Sequence, residues 1–388
     1  MNYLVISPFY PENFQPFTIE LAKKEGVTVL GIGQEPYDQL PEELRNALAE
    51  YFRVENLENL DEVKRAAAFL IYKHGPIDRV ESHNEHWLEN DAALREQFNI
   101  FGAKPKHLKK TKFKSEMKKY FSKAGVPVVS GMVVKSEKDI DKAVKTIGFP
   151  MIAKPDNGVG ASGTFKLTKK ADLETFKEAW DGQTAYFFEK FVNSSIITTY
   201  DGLVDSKGNV VFETGLTYVH TPLELMLSRK DNAYFIEKEL DPQLVKYGRA
   251  IIKAFGMKER FFHIEFFKNG KDYIAIEYNN RMAGGFTVEA YNYAHSIDLF
   301  RDYANVVTGG TVEERKFEPQ YCLVATRRDT TEYVHSADDI HQRFAGKIKT
   351  VKRMPDAFAE LQGNDAYLLV TESKEELDDM IAFIGETK

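Results

Sequence analysis

The sequence has 388 residues, 43% hydrophobic and 29% charged, a balance that excludes a disordered or fibrous chain and fits a folded protein of two to three domains. Lys and Arg number 52 against 59 Asp and Glu, and the resulting charge of -7 argues against nonspecific nucleic-acid binding through a positive field. The single cysteine, Cys322, excludes an intrachain disulfide and a multi-cysteine zinc site; Met1 to Tyr10 has no basic stretch before its apolar run, and no segment approaches 18 apolar residues. A cytoplasmic protein with no membrane span is expected.

Tyr3 to Ile6 reads as a buried strand, Phe14 to Lys24 as a helix closed by Gly26, and Val27 to Ile32 as a second strand, a βαβ opening. A helix over Leu60 to Lys73, a strand near Ile77 to Glu81 and a helix from Trp87 to Gln97 continue the alternation. This first unit does not read as a dinucleotide site. Its first turn, Ser7-Pro8-Phe9-Tyr10-Pro11, carries prolines where glycines are needed, and the Gly31/Gly33 pair ends a strand. Phe113, Met117, Tyr120, Phe121 and Ala124 lie at helical spacing before Gly125, and Val128 to Val134 reads as a strand. Ser136 with Asp139 caps a helix whose apolar face is Ile140, Val144 and Ile147 and which Gly148 ends, followed by a strand at Pro150 to Lys154.

Beyond it come a helix at Asp172 to Trp180, a strand at Tyr186 to Val192, paired strands around Lys207-Gly208-Asn209, and a helix at Pro242 to Phe255. Strands Phe261 to Lys268 and Asp272 to Asn279 are joined by Asn269-Gly270, a hairpin dipeptide. One long helix is predicted from Thr287 to Val307, then a tail with strands near Leu323 and Leu368. The fold class is mixed α/β, with domains at 1–103, 104–310 (a lid within it at 126–192) and 311–388.

Two constellations carry chemistry. Gly158-Val159-Gly160-Ala161-Ser162-Gly163 matches GxGxxG, but the alternating Thr164 to Thr168 that follows reads as a strand. A glycine loop between two strands can fold its amides over phosphates, with Lys154 at the end of the leading strand supplying positive charge. Thr164 stands where a Walker loop requires Lys, and no kinase catalytic motif follows. In the second constellation, the Asn269-Gly270 hairpin brings Glu265 and Glu277 onto adjacent strands, with Glu277, Asn279 and Arg281 on one face by period two. Two carboxylates and an amide oxygen form a hard-oxygen site suited to Mg2+. Ile264, Phe266, Ile274 and Ile276 are expected to pack the opposite, core face. Lysines 104, 106, 109, 110, 112, 114, 118 and 119 form a basic run, read mostly as a solvated helix face.

From about Lys104 to Gly310 the chain resembles the ATP-grasp superfamily, through Thr111-Lys112, Ile152-Ala153-Lys154 with the glycine loop, Phe188-Glu189-Lys190-Phe191-Val192, His263-Ile264-Glu265 and Ile276-Glu277-Tyr278-Asn279-Asn280-Arg281. The resemblance implies an ATP-grasp fold behind a Rossmann-like N-terminal domain, and ATP with Mg2+ or Mn2+ as cofactors. It implies that Lys112 and Lys154 contact phosphates and that Gly158, Gly160, Ser162 and Gly163 close over them. Glu189, Lys190, Phe191 and Val192 would line the adenine site, largely through backbone groups; Glu265, Glu277 and Asn279 would hold the metal; Arg281 would stabilise the transferring phosphoryl group. Related ligases often carry a ribose-contacting glutamate where this chain has Ile196-Ile197, and Asp201 and His220 are read as structural.

The activity implied is a carboxylate-amine ligase, joining an acid activated as an acyl phosphate to an amine, as in dipeptide-forming L-amino acid ligases. The partners are then small-molecule substrates, with no nucleic acid and no membrane, and a homodimer is a further possibility. A bicarbonate-activating carboxylase and a MgATP-binding regulatory protein without turnover are the alternatives. Gly284-Gly285, at the start of the helix near Thr287, is a candidate seat for a substrate carboxylate.

Overall fold

The computed structural model describes residues 1–158, 163–194, 196–228, 230–312, 318–354, 359 and 362–388, with the side chains of 226–228 left aside. The N-terminal sheet is parallel, with β1 (Asn2–Ile6), β2 (Thr28–Gly33), β3 (Glu50–Arg53) and β4 (Arg79–Glu81) in the order β3-β2-β1-β4. Its near-continuous apolar strands are buried on both faces, as a parallel sheet requires. Leu4, Ile6, Leu30 and Ile32 meet Val63, Ala66, Ala67 and Leu70 of the helix Leu60–His74, while Tyr3, Val5 and Val29 face Phe17 and Leu21 of the helix Gln15–Ala22. The short β3 and the helix Glu42–Ala47 were not anticipated; β3 is only half buried and carries no clear periodicity.

A second sheet is antiparallel, with β5 (Gly131–Val134), β6 (Met151–Pro155), β7 (Phe165–Leu167) and β8 (Tyr186–Lys190) in the order β5-β8-β6-β7. The helices Glu137–Ile147 and Lys170–Ala179 pack it through Ile140, Ala143, Leu173 and Phe176. The Ser136 side chain accepts from Asp139 N, and Gly148 ends the first helix at φ +68°, so both stop signals act as the sequence predicts. β6 and β7 pair with Met151 opposite Leu167 and Ala153 opposite Phe165, so the glycine segment does connect two paired strands.

The third sheet has nine strands: β9 (Ile197–Val204), β10 (Val210–Thr214), β11 (Leu216–Tyr218), β12 (Ala233–Ile236), β13 (Arg260–Asn269), β14 (Asp272–Asn279), β15 (Tyr321–Arg327), β16 (Ile348–Arg353) and β17 (Asp365–Thr371). Their order is β14-β13-β9-β11-β12-β15-β17-β16, with β10 paired to β9. The strands of the C-terminal tail therefore prolong the central sheet instead of forming one of their own. The helix Pro242–Phe255 begins on the Asp241 cap and ends at Gly256.

Two local expectations are corrected. The predicted long helix is two, Thr287–His295 and Leu299–Val307, because Ser296 turns left-handed at φ +52° and the Asp298 side chain caps a new start by accepting from Phe300 N and Arg301 N. In the β13–β14 hairpin, Glu265 pairs with Glu277 but Phe266 with Ala275, so Ile276 is the extra residue of a bulge. The bulge puts Tyr273, Ala275 and Tyr278 into the core with Ile264 and Phe266, while Ile276 lines the cavity described below.

The N-terminal sheet is welded to the central one. Phe17 lies with its ring 5.7 Å from Phe261 and 4.7 Å from Phe300, and Tyr3 and Tyr303 share a 2.6 Å hydrogen bond. Arg79 pairs with Glu259 at 2.7 Å and Arg260 with Glu81 at 2.8 Å. Burial pushes the Glu81 carboxyl up, but Arg260 and Arg95 outweigh it and hold the group down at about 2. Among the described residues no helix is long and apolar enough to cross a membrane.

Candidate active site

A cavity of about 510 Å³ opens between the four-stranded sheet and the central sheet. One end is an apolar slot walled by Ile152 of β6, Phe191 and Val192 just after β8, Ile197, Phe267 and Ile276. Lys166 of β7 holds its ammonium 4.1 Å from the centre of the Phe191 ring. Lys190 also borders this end; its ammonium bonds Phe149 O at 3.0 Å, and its own amide and that of Phe191 donate to Ser130 O and Pro150 O.

The floor of the cavity is strongly charged. Lys154 pairs with Glu189 at 2.6 Å, and Lys118 reaches the other oxygen of the same carboxylate at 3.0 Å. Burial would raise the Glu189 carboxyl, yet the two ammonium groups hold it down at about 2. Glu189 thus contributes a charged side chain that fixes Lys154, beyond the backbone role expected of it. Lys154 is itself opposed by burial but raised by Glu189 and Glu277.

Lys112 stands elsewhere. It is the last residue of the helix Pro105–Lys112, does not line the cavity, and pairs at 3.0 Å with Glu89, a largely exposed residue. The chain then extends at Phe113 and a new helix, Lys114–Lys123, begins. This break turns Lys114 inward: its side chain is 2% exposed, and its ammonium donates to Gly158 O at 2.7 Å and Glu277 Oε1 at 3.2 Å. Lys114 therefore occupies the place expected of Lys112. Its signal in the sequence was the spacing Lys114/Lys118, one residue on from the apolar Phe113/Met117 pair.

Gly158 and Gly163 do not line the cavity themselves, but Gly158 O accepts from Lys114 and Gly163 precedes Thr164, both of which do. A Cβ on Gly158 would lie 3.0 Å from Pro155 Cβ, a packing reason for glycine, and Gly163 sits at φ +69°, a backbone reason. Gly160 and Ser162 lie outside the described residues.

The hairpin together with its bulge at Ile276 sets the carboxylates side by side. Across the central sheet one row reads Thr199, Glu265, Glu277 and the next Asp201, His263, Asn279, each residue directly opposite its neighbour. Glu265, Glu277, Asn279 and His263 all face the cavity. His263 Nδ1 is 2.7 Å from Asp201 Oδ1 and Nε2 is 3.3 Å from Glu265 Oε1. Burial would discharge this imidazole, but Asp201 and Glu265 outweigh burial and push its pKa up to about 10.

Arg281 follows at the cavity edge. Its Nε donates to Glu85 Oε2 at 2.8 Å, its Nη2 bonds the same oxygen, and Nη1 reaches Met282 O at 2.7 Å. Glu85 sits in the turn after β4, so the N-terminal sheet reaches into the site, a contact that sequence spacing gave no means of seeing. The far end of the cavity is lined by Leu216, Tyr218, Asn232, Tyr234, Ala283, Gly284 and Thr287. His220 is absent from the lining, and Asp201 lies beneath it.

These donors fit a small hard cation. Glu265 and Glu277 lie opposite each other on neighbouring strands beside Asn279, with Lys114 and His263 each meeting one carboxylate oxygen, Oε1 of Glu277 and Oε1 of Glu265. Among the described residues no group of three or more His, Cys, Asp or Glu forms a closed metal cage. Two carboxylates with one amide are instead the partial set that Mg2+ takes when phosphate oxygens and water complete its shell.

Residues 110–314 match the family described as "Carbamoyl-phosphate synthase L chain, ATP binding domain", more than half of the chain. The chain belongs to this family of ATP-grasp enzymes. Among its relatives is the L-arginine-specific L-amino acid ligase of Bacillus subtilis, 22% identical over 323 residues that span 78% of this chain and 76% of that one. The L-amino acid ligase structure from Bacillus licheniformis superposes with a TM-score of 0.73 at 16% identity, covering 98% of this chain and 95% of that one. The N5-carboxyaminoimidazole synthetase of Staphylococcus aureus complexed with ADP gives 0.72 at 18%, covering 99% and 96%. The protein is thus an ATP-dependent ligase of the ATP-grasp fold.

Proposed function

We propose that this ATP-grasp enzyme activates a small carboxylate, most simply that of an amino acid, as an acyl phosphate and joins it to an amine, with ADP and phosphate as products. The observation that carries the reading is the meeting of Glu265, Glu277 and Asn279 with Lys114, Lys154 and Arg281 around one cavity. The slot between Phe191, Val192 and Ile276 accepts the adenine ring, and Lys114 and Lys154 lie along the path of the phosphates. Glu265, Glu277 and Asn279 hold Mg2+ or Mn2+, which supplies positive charge to the phosphate oxygens when bound.

A carboxylate oxygen attacking the γ-phosphorus brings two anions together, and ADP departs as the P–O bond forms. Lys154 and Arg281 offset that repulsion from fixed positions, so little reorganisation is needed during transfer. A neutral amine then adds to the acyl carbon, phosphate leaves and the amine gives up its proton. Gly158 and Gly163 bound the glycine loop, whose expected role is to keep water from the acyl phosphate. The acid itself sits toward Gly284 and the N-terminal amides of the helix Thr287–His295. The buried, single Cys322 agrees with a reducing, cytoplasmic setting.

The test is ADP release from MgATP with pooled amino acids, other small carboxylates and bicarbonate, using Glu277→Ala as control. Release that needs an acid and an amine together and vanishes in the variant supports the ligase. Release driven by bicarbonate alone moves the protein to carboxylation, and ATP binding without release moves it to regulation.

A further inference from the structure

Beneath the cavity floor lies a set of buried polar side chains that the proposed chemistry does not use directly. Asp201 is 1% exposed in its side chain, and both its oxygens are engaged: Oδ1 with His263 Nδ1, Oδ2 with Tyr291 OH at 2.7 Å and with the Thr199 hydroxyl. Thr199 Oγ1 also accepts from Leu216 N at 3.0 Å, which ties the set to β11. Four elements therefore fix this carboxylate: β9, which carries it and Thr199; β13, which carries His263; β11; and the helix Thr287–His295, which carries Tyr291.

The arrangement has a direction. Asp201 holds one ring nitrogen, so the imidazole cannot rotate without breaking that bond, and the other nitrogen is left facing Glu265 Oε1 at 3.3 Å. Buried polar groups cost stability unless each is satisfied, and an apolar floor would have avoided the cost. The network ends on Glu265, one of the two carboxylates that face each other across β13 and β14.

We propose that His263, held by Asp201, Thr199 and Tyr291, is a positioning residue that fixes one oxygen of Glu265 and leaves the other directed at the cation. The inference rests on the reading of Glu265 as a metal ligand. Groups that orient a ligand in this way change metal affinity by about 10- to 100-fold when lost.

The experiment titrates Mn2+ into the full-length protein with saturating ADP and counts free Mn2+ by electron paramagnetic resonance. Binding of ADP without metal is measured beside it. Glu265→Gln tests the underlying reading: it weakens Mn2+ strongly, and wild-type affinity there refutes the metal site itself. His263→Asn keeps a donor toward Asp201 but loses the reach to Glu265, so Mn2+ weakens by about 10- to 100-fold with metal-free ADP binding unchanged. His263→Gln, whose amide extends to the position of Nε2, recovers much of the loss. A folded His263→Asn with wild-type Mn2+ affinity overturns the proposal, whether the variant lowers the melting temperature or raises a substrate KM instead. If His263→Asn does not fold, Tyr291→Phe decides: removing one anchor of Asp201 weakens Mn2+ by about threefold to tenfold, and no change overturns the proposal.

Discussion

Replacing Lys114 with Met separates two lysines that lie two positions apart. Lys114 is buried, its ammonium shared between Gly158 O and Glu277. A unit charge about 4 Å from a phosphate oxygen is worth about 4 kcal/mol at an effective dielectric constant near 20. Converted at about 1.4 kcal/mol per decade, this is close to a 1,000-fold loss in kcat/KM for ATP. Lys112, paired with the exposed Glu89, is a near-surface ion pair worth at most about 1 kcal/mol, so Lys112→Met stays within about fivefold of wild type. Steady-state ADP release gives kcat/KM, a fluorescent ADP analogue reports nucleotide affinity, and a thermal melt confirms that both variants fold. A folded Lys114→Met within fivefold of wild type, or a larger loss in Lys112→Met, would refute the assignment.

Three further outcomes follow from the site and its surroundings. Glu85→Gln removes the charge that holds Arg281, and kcat falls by about tenfold to a hundredfold with KM for ATP unchanged; an unaltered kcat in steady-state assays would show that Met282 O suffices to hold the arginine. Gly284 has open space around its Cα and lines the cavity, whereas Gly285 sits at φ +66°, where any side chain strains the backbone. Gly284→Val is therefore the cleaner probe of the acid seat, and it raises the KM for the carboxylate about tenfold with an unchanged melting temperature. Burial pushes the His83 imidazole down to about 4 against its ordinary 6.5, although Glu81 opposes the shift. The unfolded chain binds the proton more readily, so stability is full above pH 6.5 and is lost as the pH falls toward 4, by about 3 kcal/mol in all. His83→Asn, which tolerates the left-handed φ of +59°, flattens that part of the denaturation-versus-pH curve; an unchanged slope would count against the buried neutral imidazole.

The site was legible where a local rule set it. Asn269-Gly270 marked a hairpin and so put Glu265 and Glu277 on adjacent strands, but their direct opposition also needs the turn to fall at Gly270-Lys271 and the bulge at Ile276. The strand after the glycine loop was readable from alternation alone. What escaped reading depended on events that spacing does not encode. A helix break at Phe113 decided which lysine faces inward, and a bulge at Ile276 reversed the faces that strict period two assigns. Ser296 broke a helix whose apolar repeat runs on through Leu299 and Tyr303. Glu85 lies 196 positions from Arg281, and only the docking of the N-terminal sheet against Phe261 and Tyr303 brings them together.

That docking bears on how the chain can be divided. The family match covers 110–314, a span that invites expression of the ATP-binding part alone or its exchange between relatives. Such a fragment would leave Arg260 without Glu81 and Arg281 without Glu85, two guanidinium groups with their counter-charges on the discarded piece. It would also uncover Phe261 and Tyr303 to water. A chimera would have to carry the turn at 82–85 along with the cavity, and would inherit its arginine geometry from whichever parent donates that turn.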